Sequence, residues 1–151
     1  MGIRIVDYRP PKIAQLFLLC AAILHWATPL CQLHIFSNHV LGVILGISGF
    51  GLMMHGWWLF RKLDTAICPT EKTDCLVTAG VYRFTRNPMY LGMIAMLLAV
   101  AIFVGTLPFY LATTACFYVI DIVFCPHEER KLTEAFGDTY TSYKNNVSRW
   151  L

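Results

Sequence analysis

From Ile13 to Phe60, and again from Asn87 to Ile120, the chain carries no Asp, Glu, Lys or Arg. Stretches of that length without a charge suit a hydrocarbon core, which asks for ~20 apolar residues per helix. Each stretch accommodates two crossings, the second tightly. The pattern predicts an all-α membrane bundle of four transmembrane helices in two hairpins: Ile13 to about Leu33, Val40 to Phe60, Pro88 to Gly105, and Pro108 to about Cys125. At 57% hydrophobic and 14% charged residues the composition is too apolar for an ordinary soluble domain, and 151 residues suit a single one.

Neither turn within the hairpins is charged: the first holds Gln32, His34, Ser37, Asn38 and His39, and the second is Gly105-Thr106-Leu107-Pro108. Every Lys and Arg falls in the first twelve residues (Arg4, Arg9, Lys12), the central loop (Arg61, Lys62, Lys72, Arg83, Arg86) or the tail (Arg130, Lys131, Lys144, Arg149). Four crossings put those segments on one side, which the positive-inside rule makes cytoplasmic. Both termini are therefore expected in the cytoplasm, and the brevity of the chain suggests a bacterial inner membrane. The leader, with Asp7 and Pro10-Pro11 and no small-residue cleavage site, does not read as a signal peptide, and no lipidation motif is evident.

Within the second span, Gly42, Gly46 and Gly49 lie on one stripe. Such a stripe suits close packing against another helix of the chain or, alternatively, a homodimer. Trp57 and Trp58 beside Arg61 and Lys62 read as interfacial anchors. Pro29 predicts a kink or an early end to the first helix. The six cysteines include no C-x-x-C pair and the five histidines no H-E-x-x-H, so neither a disulfide framework nor a metal site is expected. Nothing in the pattern calls for a nucleic-acid partner.

The sequence Arg83-Phe84-Thr85-Arg86-Asn87-Pro88 sits at the lip of the third span. Proline favours the first turn of a helix and keeps its predecessor out of helical geometry, so residues 80–87 are expected to form a loop entering a helix N-terminus. That end exposes unpaired N–H groups and suits an anionic group. Glu128 and Glu129 follow Pro126 at the other end of the hairpin. A tight turn makes its two helices neighbours, so the two polar clusters meet at one mouth, where a zwitterionic, cationic cofactor would fit. Taken alone, the same residues also suit dipole complementation by the glutamates and lipid-phosphate anchoring by Arg83 and Arg86. Beyond them, Leu132, Phe136, Tyr140 and Tyr143 predict one or two short amphipathic helices on the cytoplasmic face, broken near Gly137.

The stretch Thr65 to Gly92, with Leu76-Val77-Thr78, Gly80, Tyr82-Arg83 and Arg86-Asn87-Pro88-Met89-Tyr90 in order, resembles the signature of the isoprenylcysteine carboxyl methyltransferase and phospholipid methyltransferase superfamily of membrane enzymes. A second motif of that superfamily is matched by Glu128-Glu129, Leu132, Phe136-Gly137, Tyr140, Tyr143 and Arg149-Trp150. The resemblance covers about residues 60 to 151, and the cofactor-binding part of the single domain is expected over about 61 to 151. Asn87 stands where eukaryotic carboxyl methyltransferases usually carry His, which argues against a prenylated cysteine as acceptor.

The resemblance implies S-adenosylmethionine-dependent methyl transfer to a lipophilic acceptor drawn from the bilayer. It places the cofactor between Asn87, Pro88, Met89, Tyr90, Leu91 and Gly92 on one side and Glu128 and Glu129 on the other. Asn87 and the helix start would face the cofactor's carboxylate, Glu128 or Glu129 its amino group or ribose, and Tyr90 its adenine or sulfonium. Asp121, Tyr140, Arg149 and Trp150 would border the substrate entrance. No catalytic residue is fixed, the candidates being Glu128, Glu129 and Arg149. Two other functions fit the same sequence: an NADPH-dependent membrane reductase related to sterol reductases, and a non-enzymatic small membrane protein.

Overall fold

The computed structural model describes residues 10–27, 35–62 and 75–151. The expected kink at Pro29, Gln32 and His34 of the first turn, and central-loop residues 63–74 lie outside these. Among the described residues six helices run in order: α1 Pro10–Ala27, α2 His39–Lys62, α3 Pro88–Val104, α4 Leu107–Val119, α5 Cys125–Phe136 and α6 Asp138–Asn146. A short 3-10 turn, Gly80–Arg83, precedes α3, and a π-helical turn, Ile120–Phe124, joins α4 to α5. No strand occurs among the described residues.

Among the described residues, three helices are long and apolar enough to cross a bilayer: Pro10–Ala27, His39–Lys62 and the continuous Leu107–Phe136. At 17 residues α3 is shorter. Much of the apolar surface points outward, as it should where lipid is the solvent: α1 buries Ile13, Ala14 and Ala21 but exposes Leu16, Leu19 and Ile23.

The packing order is α2, α3, α4, α1, so α1 lies against α4 and not along α2. α3 is the middle helix, and seven of its residues are buried: Pro88, Gly92, Met93, Leu97, Ala99, Ala101 and Ile102. A helix apolar all round belongs in such a position.

Contact between α2 and α3 is close because glycines remove the side chains between them. A Cβ on Gly92 would lie 2.5 Å from the Gly49 carbonyl oxygen, and one on Gly42 would lie 3.0 Å from that of Ala99. At Gly46 the clearance to Ala99 Cβ is an ordinary 3.5 Å. The stripe expected to serve either internal packing or a second chain thus faces α3.

At the end away from the charges, Gly105 takes φ +78° to turn the chain from α3 into α4. Its carbonyl accepts from Ile35 N at 2.9 Å, Ile102 O accepts from Asn38 N at 3.1 Å, and Tyr110 OH donates to Phe36 O at 2.7 Å. Asn38 Oδ1 then caps α2 by accepting from Leu41 N. The opposite end of α2 carries Arg61 over the Trp57 ring at 5.0 Å and Lys62 over that of Trp58 at 5.2 Å, a cation–π pairing that fits an interfacial anchor.

The fourth span was expected to stop at about Cys125, yet the helix runs on through Pro126 to Phe136. Proline lacks an N–H and crowds the carbonyl one turn back. The wider π-turn immediately before it absorbs that conflict, as π adjustments do in membrane helices. The break expected near Gly137 is present: α5 ends there at φ +52°, and α6 starts at Asp138.

The clearances predict a graded response to alanine. Gly92→Ala should lower stability by about 1–3 kcal/mol through overpacking, whereas Gly51→Ala, which meets nothing within 4 Å, should be neutral or slightly stabilising. Unfolding of the two variants in the same detergent measures the difference.

Candidate functional site

Asn87 precedes α3 without a side-chain cap to the helix, and Pro88 occupies the first turn. The Asn87 backbone N–H donates instead to Thr85 Oγ1 at 3.2 Å, and Asn87 Nδ2 donates to Arg149 O at 3.2 Å. Thr85 Oγ1 in turn donates to the same carbonyl at 2.9 Å, and Arg86 N donates to Ser148 O at 3.0 Å. The loop ahead of α3 and the terminal segment 147–150 are therefore tied backbone to backbone. Tyr143 OH adds a bond to Tyr82 O at 2.7 Å, bringing α6 to the same loop.

At the centre lies Glu129, on the polar continuation of the helix beyond Pro126. Its side chain is only 10% exposed, and it is held by three cations from three segments. Oε1 accepts from Arg86 Nη1 at 3.0 Å and from Arg149 Nε at 2.8 Å, while Oε2 accepts from Lys144 Nζ at 2.8 Å. Burial opposes the charge on Glu129, but the hydrogen bonds from Arg149 and Lys144 and the charge of Arg86 outweigh it and lower the carboxyl below its usual range. The Glu129 bond, stronger than the cost of burial, holds Arg149 above its ordinary value.

Glu128 has a different neighbourhood. It accepts from the hydroxyl of Tyr90, in the first turn of α3. Burial pushes its carboxyl up, against the lowering effects of Tyr90 and the charge of Lys131. The two glutamates, adjacent in sequence, thus face different partners with opposite electrostatic outcomes.

The two polar clusters do meet: the start of α3 and the acidic pair are in direct contact through Tyr90–Glu128 and Arg86–Glu129. Met89 meets α2 at Gly56, and Gly92 packs against α2 at Gly49, so those two positions face away from the acids. Tyr140 is 1% exposed and buried beneath the cluster. Asp121, expected at the substrate entrance with Arg149 and Trp150, is hydrogen-bonded to both of them. Arg86 and Lys144 as ligands of Glu129 were not foreseen. The sequence signal for them is slight, because they stand 43 and 15 residues from it.

A sequence profile described as phospholipid methyltransferase matches residues 37–139. Over 71 residues the chain is 35% identical to methanethiol S-methyltransferase 1 of Bradyrhizobium diazoefficiens, covering 47% of this chain and 24% of that protein. It is 36% identical over 63 residues to an uncharacterized protein of Haemophilus influenzae, covering 42% of this chain and 100% of that protein. The match thus spans about a quarter of the length of the first relative. No solved structure matches the chain.

Removing the central charge should be costly in a specific way. Glu129→Gln leaves three cations facing one another and should destabilise by about 3 kcal/mol, while Lys144→Met, at a side chain 44% exposed, should cost under about 1 kcal/mol. Because the folded-state value of Glu129 is lowered, its contribution is complete above the ordinary 4.5 and is lost as pH falls through the lower folded value. Chemical unfolding of wild type and Glu129→Gln between neutral and acidic pH should therefore converge below that point.

Proposed function

The chain belongs to the phospholipid methyltransferase family, and on that premise we propose that it transfers a methyl group from S-adenosylmethionine to a lipophilic acceptor at the cytoplasmic surface of a membrane. Family membership supports methyl transfer in general; the donor and the acceptor class are the proposal. The observation that carries it is the hydrogen bond from Tyr90, at the start of α3, to Glu128 on α5. That bond brings a helix N-terminus and a carboxylate together, the two groups a zwitterionic ligand would need.

The groups around the mouth suit a zwitterionic sulfonium compound. The uncapped start of α3 offers backbone N–H groups to a carboxylate. Arg86 Nε is buried and, among the described residues, lacks an acceptor; an anionic ligand group would satisfy it. Glu128, raised by burial, gains from a cationic amino group or a ribose hydroxyl. The Tyr90 ring offers a π-face to a sulfonium. When bound, S-adenosylmethionine supplies a methyl carbon activated by positive sulfur.

The protein's part is to orient donor and acceptor and keep water out, with little demand for acid–base chemistry. Glu129, committed to Arg86, Arg149 and Lys144, shapes the wall, and Glu128 is the acid assigned to the ligand. Arg149 and Trp150 border the side from which an apolar acceptor arrives between helices. We assign α3, despite its length, to a fourth crossing, with both termini in the cytoplasm of a bacterial inner membrane; Trp57, Trp58, Arg61 and Lys62 support that orientation. The name of the Bradyrhizobium relative makes a thiol one acceptor to try, alongside phospholipid amines and carboxylates.

Titration calorimetry of the purified protein tests the donor. S-adenosylmethionine should bind, Glu128→Gln should weaken it about tenfold by losing a charge-assisted bond, and NADPH should not bind. A rise in unfolding temperature with NADPH alone would overturn the assignment in favour of a reductase.

A further inference from the structure

Asp121 belongs to the apolar part of the chain, yet its bonds go to two consecutive residues near the end of the sequence. Oδ1 accepts from Arg149 Nη1 at 3.0 Å and from Trp150 Nε1 at 2.9 Å, and the Trp150 indole lies against the Phe117 ring with centroids 5.1 Å apart. Arg149 meanwhile gives Nε to Glu129 and its carbonyl to Thr85 and Asn87. One residue thus joins the loop ahead of α3, α5 and the π-turn that precedes α5.

The π-turn is what lets Asp121 take part. On an uninterrupted α-helix Asp121 and Glu129 would point about 80° apart. A single π-turn absorbs roughly one extra residue, which brings the two acids to within about 20° of one face. Both can then hold the same guanidinium, one from the membrane side and one from the polar side. An ionisable group in such a position has a partner or a task; here the partner is the terminal segment.

We propose that Asp121 is a positioning residue that latches segment 147–150 from the membrane side, fixing Arg149 between two acids and holding the Trp150 indole across the lateral wall of the mouth. The proposed methyl transfer enters only in naming what meets that wall, a lipophilic acceptor. The latch itself stands on the hydrogen bonds and the π-turn. Asp121 acts through Arg149 and Trp150 and touches no reacting atom.

Hydrogen exchange of the full chain in lipid nanodiscs reads the latch directly, since the Arg86 amide is protected by Ser148 O. Asp121→Ala should speed exchange of amide 86 and of amides 147–150 about tenfold while leaving α2 and α3 unchanged. Asp121→Asn, which keeps an oxygen for the indole N–H, should restore most of that protection. Trp150→Phe keeps the ring on Phe117 but loses the bond and should resemble Asp121→Ala. Unchanged exchange in the segment, or acceleration spread evenly over every helix, overturns the proposal. Failure of Asn to rescue does so as well. S-adenosylmethionine titration of the same wild-type preparation separates the two ideas: no binding alongside an intact exchange response sinks the proposed activity and leaves the latch.

Discussion

A carboxylate withdrawn from water must be repaid by cations and hydrogen bonds, and Glu129 sets the terms on which the charged end of this protein assembles. Its cations come from three places: Arg86 from the loop ahead of α3, Lys144 from α6 and Arg149 from the terminal segment. None is a near neighbour in sequence, so the acid is satisfied only when all three segments have arrived. Arg149 extends the arrangement to Asp121, and the charges at the mouth become one connected network.

Such a network matters more in a bilayer than it would in water. Lipid tails are as apolar as the side chains they touch, so helices are held together by close packing and by polar contacts. α2 and α3 supply the first through Gly42, Gly49 and Gly92, where backbones approach too closely for any added side chain. Polar contacts close both ends: the Gly105 turn with Ile35, Asn38 and Tyr110 at one, and the Glu129 network at the other. His25 adds a bond to Thr106 of that same turn, linking α1 to the far end. The start of α3 is thus positioned from two directions, by α2 along its length and by the ion pairs at its tip.

The apolar helices were legible because charge is excluded from them, and the meeting of the loop ahead of α3 with the acidic pair was legible because Pro88 fixes a helix start while Gly105-Thr106-Leu107-Pro108 forces the next helix alongside. What the sequence concealed has physical reasons. Successive helices need not pack: α1 lies on α4, and hydropathy carries no record of which face meets which helix. Pro126 reads as a stop, and only the geometry of Ile120–Phe124 reveals that the helix passes through it. The partners of Glu129 and Asp121 lie at separations of 15 to 43 residues, beyond the reach of any local spacing rule. A stripe such as Gly42, Gly46 and Gly49 announces close approach without saying to what.

The acidic pair illustrates how a motif can read as one feature and act as two. Neighbouring residues on a helix point about 100° apart, so Glu128 and Glu129 cannot address the same partner. Glu129 turns toward the cations and is lowered by them; Glu128 turns toward α3, meets Tyr90 and is raised by burial. A carboxylate committed to three cations has little left to offer a ligand. One that is desolvated and held by a single neutral hydroxyl gains most when a cation arrives. Under the proposed function, the same dipeptide would separate the task of holding this end together from that of recognising a ligand. The separation depends on the π-turn upstream, which sets the rotation of everything that follows.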